Sequence, residues 1–119
     1  MKEAYCSFEV AKLLKEKGFE VITYMVYDNQ GNFDYQNCVC CNVDRMPCLY
    51  APTHQMAMAW LREKGIHMSI DTVISSSGNI YFNIDTYSED SGWKHPVDFY
   101  DSYDEAVETA IKYSLENLI

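Results

Sequence analysis

The residues with the most evident chemical capacity are Cys38-x-Cys40-Cys41-x6-Cys48, four of the chain's five cysteines; the fifth is Cys6. Zinc takes thiolate or imidazole ligands tetrahedrally, usually from two C-x2–4-C clips. Here the first clip would be C-x-C or C-C, which is tight. Cys48 stands without a second cysteine, and His54 is the residue placed to complete the set. A redox pair of Cys38 and Cys48 is the other chemistry, with Arg45 the cation at hand to lower a thiol pKa. An odd cysteine count with no export signal does not suggest a disulfide framework. Reduced thiols are expected, with no metal or other cofactor.

Other groups offer less. His54, His67 and His95 could each be paired with a cysteine, but no local signature supports a nucleophile and its base. His67 alternates onto the polar side of its strand, and His95-Pro96 reads as a turn. Asp85, Glu89, Asp90, Asp98, Asp101 and Asp104 are carboxylates for a divalent ion, yet the spacing of a calcium-binding EF-hand loop is missing. They read as a solvated acidic surface. There is no P-loop and no G-x-G-x-x-G. No nucleophile, base and orienting group can be drawn together, so the expectation is a protein that is not an enzyme.

Composition narrows the partner. The chain has 119 residues and a net charge of −9. Residues 1–79 hold nine acids and seven bases, whereas residues 80–119 hold nine acids and two bases. That balance disfavours nucleic acid, whose phosphates need Lys and Arg to displace counterions. It suits a basic partner surface. Two binding patches are candidates. Asp98, Asp101 and Asp104 would present charge. His54, Met58 and Arg62 recur at i, i+4, i+8 on the side of a helix away from Trp60, with Met58 exposed between polar neighbours. No stretch of about 18 apolar residues exists, so no membrane span is expected, and residues 1–6 show no apolar signal segment. A cytoplasmic location is the expectation.

The elements that must position these residues follow from periodicity and caps. Ser7 is placed to cap a first helix whose stripe is Val10, Leu13, Leu14 and Lys17, ended by Gly18. The β-branched and aromatic run 19–27 predicts a strand, residues 28–32 a turn, and residues from Phe33 a return strand. Residues 37–49 show no period and read as a loop with a short strand near Val39. Thr53 caps a second helix with Met56, Ala57, Trp60 and Leu61 inward, ended by Gly65. Strands over 66–74 and 80–87 flank a turn containing Gly78-Asn79. Residues 88–98 read as a polar loop. Ser102-x-x-Glu105 is a capping box. It opens a third helix to about Leu118, with Tyr103, Ala106, Val107, Ala110, Ile111, Ser114 and Leu118 inward.

Leu14-Lys15-Glu16-Lys17-Gly18 returns as Leu61-Arg62-Glu63-Lys64-Gly65, 47 residues on, and Gly31-Asn32 returns as Gly78-Asn79 at the same offset. A fixed period marks a repeat. The expectation is a single α+β domain over 1–119, ordered α-β-β-α-β-β-α, with pseudo-repeat units at about 7–50 and 53–100 and a closing helix at 102–118. The natural arrangement is one four-stranded antiparallel sheet with helices on one face. The uncovered face would carry alternate strand residues: Tyr24, Val26, Tyr81 and Tyr87, or their neighbours. Ten tyrosines in the chain would make such a face suited to binding, or to a homo-oligomer interface.

Lys15 to Phe19, Ala51-Pro52-Thr53, Trp60-Leu61-Arg62-Glu63 and Tyr100 to Ala106 follow a frame K-E-K-G-F … A-P-T … W-L-R-E … Y-x-x-Y-E-E-A. On these residues the chain resembles a widespread set of small uncharacterised proteins of gut anaerobes and of their phages and mobile elements. The resemblance implies a phage-borne or mobile-element setting and brings no catalytic residue. Two functions stay open: a non-enzymatic accessory protein that binds a host protein, or a protein that binds or sequesters a small ligand such as a signalling nucleotide.

Overall fold

The computed structural model describes residues 3–23, 25–28, 30–35, 49–96 and 99–119. Cys38, Cys40, Cys41 and Cys48, and the strand expected near Val39, lie outside the described residues. The chain is a mixed α+β protein ordered α1 (Phe8–Glu16), β1 (Met25–Tyr27), β2 (Phe33–Tyr35), β3 (Leu49–Tyr50), α2 (His54–Glu63), β4 (Ile66–Ile74), β5 (Ile80–Ser88), β6 (Gly92–Lys94) and α3 (Tyr103–Asn117). It divides into two compact units, 1–57 and 58–119, with the boundary inside α2. Among the described residues no helix is long and apolar enough to cross a membrane.

Among the described residues the strands do not form the single four-stranded sheet expected from the sequence. They form two antiparallel sheets of three, ordered β2-β1-β3 and β4-β5-β6. The difference arises from two short strands, β3 and β6, in segments whose sequence reads as loop. Two or three residues are too few to show a period of two. The run 19–27 also yields less strand than its β-branched content suggests, since among its described residues only Met25–Tyr27 is strand.

Local structure repeats at the 47-residue period from the helix ends onward, while the capping residues Ser7 and Thr53 stand 46 apart because α2 is one residue longer than α1. Ser7 accepts a hydrogen bond from the Val10 amide at 3.2 Å, and Thr53 accepts one from the Met56 amide at 3.2 Å. Gly18 and Gly65 end their helices at φ +101° and +83°, a region that favours glycine because a Cβ would crowd the backbone there. The hairpin turns share three hydrogen bonds. Asp28 and Asn32 pair through the Asp28 amide and the Asn32 carbonyl, as do Ser75 and Asn79, and the Gly31 and Gly78 amides donate to Asp28 and Ser75. In each turn the first residue's side chain also accepts from the last residue's amide, at 2.9 Å on Asp28 and 3.1 Å on Ser75.

The repeat breaks at the third strand. In the first unit β3 adds beside β1, at Val26↔Tyr50 and Tyr27↔Leu49. In the second β6 adds beside β5, at Thr86↔Lys94, Tyr87↔Trp93 and Ser88↔Gly92. The first unit packs Phe8 and Ala11 of α1 against Tyr27, Met25, Leu49 and Ala51. The Tyr27 hydroxyl donates to the Cys6 carbonyl, and the Cys6 thiol is buried. In the second unit α3 lays Ala106 and Ala110 on Ile84, bordered by Met68, Ile70, Phe82 and Tyr100. Ser102 accepts from the Glu105 amide at 3.0 Å to start α3, as its capping sequence predicts.

Candidate functional site

The register of the second sheet sorts its side chains. Met68 faces Thr86 and Ile70 faces Ile84, and these share the α3 side. Strand residues alternate sides. His67, Ser69, Asp71 and Val73 of β4 therefore share the opposite side with Tyr81, Asn83, Asp85 and Tyr87 of β5 and with Trp93 of β6. None of these nine residues is buried. Of the two sets that the sequence leaves open, Tyr81 and Tyr87 rather than their neighbours lie on the side away from α3, both half-buried. Val26 does not join them, because it is 1% exposed in the other sheet. Tyr24 lies outside the described residues.

Two ends of this face differ in chemistry. At one end His67, Tyr87 and Trp93 form a chain of rings, with centroids 6.2 Å and 5.2 Å apart. His95 continues it, its ring parallel to Trp93 within 6° at 6.3 Å. His95 Nδ1 donates to Asp85 Oδ1 at 2.6 Å. A carboxylate only accepts, so this bond places the imidazole proton on Nδ1. Trp93 is 56% exposed, an unusual state for the residue with most to gain from burial. Next along the face, Ser69 donates to Asp71 Oδ1 at 3.2 Å. Asn83, opposite Asp71, holds its Oδ1 buried without a partner among the described residues. At the far end Val73, Ser75, Tyr81 and Phe99 line an apolar recess of about 290 Å³.

Sequence reasoning missed Trp93, and missed the Asp85–His95 pair, because it placed residues 88–98 in a loop. A signal was there: Gly92, at φ +79°, can close a tight turn after β5 and return Trp93 along it. The helix patch of His54, Met58 and Arg62 is corrected. His54 and Met58 are buried, at 7% and 9% exposed, and only Arg62 lies at the surface. Positions 54, 57, 58, 60 and 61 are all buried, an arc of about 160° at 100° per residue, so α2 has a wider buried side than its Trp60 stripe suggests. Asp101 and Asp104 are exposed near the start of α3, whereas Asp98 lies outside the described residues. Tyr103 is not inward but 48% exposed, edge-on to Phe82. Leu115 takes a buried place that the stripe does not include. Among the described residues no three His, Cys, Asp or Glu side chains are grouped to hold a metal ion.

In the first unit Ala11, Lys15, Phe19, Glu20 and Tyr50 line a second recess of about 250 Å³. No protein-family model, no curated protein and no solved structure matches the chain.

Proposed function

We propose that this chain is a non-enzymatic binding protein that engages a basic surface of a partner protein through the uncovered face of its second sheet. The observation that carries this reading is the half-exposed Trp93, set in a row of rings beside Asp85. Large amphipathic rings are the groups that give most binding free energy at protein interfaces. Carboxylates among them, on a chain of net charge −9, complement a cationic partner. In the phage or mobile-element setting implied by the resemblance, that partner would be a host protein, and the site of action the cytoplasm.

A photo-cross-linking residue placed at Tyr87, with a control at Glu116 on α3, tests the reading in cells of the protein's own host. A discrete adduct from position 87 that is absent from position 116, and lost on Asp71→Lys with Asp85→Lys, is the expected result. Equal adducts from both positions, or none, would overturn it.

The recess beside Lys15 favours a second reading, a small-ligand binder, because it borders an apolar floor of Ala11 and Phe19 with one cation, Lys15, and one carboxylate, Glu20. A native mass spectrum of the untagged protein tests it. Extra mass that is lost on Lys15→Ala supports it, and a bare chain sinks it. The same spectrum reads whether the protein is a homo-oligomer.

A further inference from the structure

The two edges of the second sheet are built differently. The β6 edge is three residues long, carries Lys94 and is followed by Pro96. Short length, lysine and proline are devices that keep a sheet edge from pairing with another chain. The opposite edge, β4, has none of them. It runs for nine residues, holds no Pro, Gly or Lys, and pairs with β5 at every position from Ile66↔Ser88 to Ile74↔Ile80 without a bulge. A strand of that length rises roughly 30 Å.

The ladder fixes which groups of β4 face outward. Hydrogen-bonded and non-hydrogen-bonded pairs alternate between antiparallel strands. At the two ends of the β4–β5 ladder, the Ser75 amide donates to the Asn79 carbonyl, and the Gly65 carbonyl accepts from the Glu89 amide. Between them Phe82, opposite Thr72, exchanges both of its bonds with Tyr100, away from β4. Odd-numbered positions of β4 therefore bond β5. Ile66, Met68, Ile70, Thr72 and Ile74 turn their N–H and C=O groups to the open edge, and no strand among the described residues pairs with them there.

We propose that the open edge of β4 pairs with the same edge of a second copy of this chain, antiparallel about a two-fold axis at Ser69, to make one continuous sheet. A two-fold axis sets one edge against itself, so each strand supplies the donors and acceptors that the other lacks. The side chains choose the register. About Ser69, the odd-numbered residues form the non-hydrogen-bonded pairs, whose side chains stand closest. His67 of each copy then faces Asp71 of the other. Both residues are exposed, and an imidazole N–H can donate to a carboxylate. An axis at Asp71 would set two carboxylates opposite each other, which is unfavourable. An axis at Ile70 would leave His67 facing Val73. The Ser69 register forms about eight backbone hydrogen bonds, two for each facing pair drawn from Ile66, Met68, Ile70 and Thr72, a number usual for a specific interface. Paired residues share a side of the sheet, so the two uncovered faces join into one. This edge is a different surface from the face assigned above to a partner, and the proposal does not depend on that assignment.

The test is sedimentation equilibrium of the full chain up to millimolar concentration, with amide hydrogen exchange read by NMR. A dimer is expected, with the Met68, Ile70 and Thr72 amides protected in it and exchanging freely in the dilute monomer. Ile74 lies beyond the paired segment, and its amide should exchange in both. Thr72→Pro removes an outward N–H and no bond to β5, so it should abolish the dimer and leave the circular dichroism of the monomer unchanged. His67→Asp should weaken the dimer about tenfold, a fewfold for each of the two symmetric pairs. Adding Asp71→His should restore it. If Thr72→Pro fails to fold, the exchange of His67 and Asp71 decides. A monomer at every concentration overturns the proposal, as does a dimer that leaves the Met68, Ile70 and Thr72 amides unprotected, one that survives Thr72→Pro, or a charge swap that restores nothing. A monomer that still gives the position-87 adduct in cells removes the dimer and leaves the partner-binding reading standing. A dimer without that adduct does the reverse.

Discussion

Replacing Thr86 by valine should make this protein more stable. Thr86 lies on β5 in register with Met68 and Lys94, on the side that faces α3. It is 0% exposed, and its Oγ1 has no hydrogen-bond partner among the described residues. Ser114, equally buried, shows the usual solution: its hydroxyl donates to the Ala110 carbonyl at 2.8 Å. A hydroxyl taken out of water without a partner costs about 1–3 kcal/mol. Valine has the shape of threonine with a methyl in place of that hydroxyl, and a buried methyl adds about 0.8 kcal/mol. Packing is otherwise unchanged, so Thr86→Val should raise stability by about 1–3 kcal/mol. For a chain of this length that is about 4 °C in Tm per kcal/mol. Thr86→Ser gives the control. It keeps the hydroxyl and deletes the methyl, and should cost about 1 kcal/mol. Urea denaturation with an unchanged slope measures all three proteins. A valine variant equal to or less stable than the parent would refute the reasoning, because it would mean that the hydroxyl is satisfied.

Asp28 titrates below its ordinary value of 3.8, chiefly because the Asn32 amide donates to its carboxylate, joined by the Asn32 side chain, with burial opposing. Its charged form is thus favoured by folding; its contribution is present above the unfolded pKa and is lost as pH falls through the lower folded one. A carboxyl NMR titration with a midpoint at or above 3.8 would contradict this. Gly65→Ala should cost about 1–2 kcal/mol, since an L residue is strained at φ +83° and its Cβ would also meet the Glu89 side chain. Thermal melts beside Gly65→Asn, which tolerates that region better, measure it. Ile84→Ala, which empties the contact with Ala106 and Ala110, should cost about 2–5 kcal/mol in the same melts. Trp93→Ala should cost no more than about 1.5 kcal/mol, the scale of its ring contact with Tyr87; a larger loss would make Trp93 a packing residue rather than a binding one.

Much of the candidate site was legible. The alternation along the strand from 66 to 74 places His67 on its polar side, and the structure keeps His67, Ser69 and Asp71 on the side opposite Met68 and Ile70. Nine-residue strands display the period of two clearly enough to read. What was not legible was the partner of Asp85. His95 lies ten positions away, and the two meet only because β6 folds back beside β5. Met58 shows the other limit: a residue whose helical spacing sets it off the main stripe is buried all the same.

The sequence by itself determined the helix starts at Ser7, Thr53 and Ser102, the glycine stops at 18 and 65, and the two turns 47 residues apart with three hydrogen bonds in common. These are contacts over two to four residues, so the side chains that make them stand together in the chain. Only the tertiary structure decided where the third strand of each sheet goes, beside β1 in one unit and beside β5 in the other. Sheet pairing uses backbone N–H and C=O groups that every residue carries, and strands of two or three residues have no side-chain pattern to single out a partner. The pairing of β6 with β5, which sequence spacing cannot express, is what brings Trp93, His95 and Asp85 together.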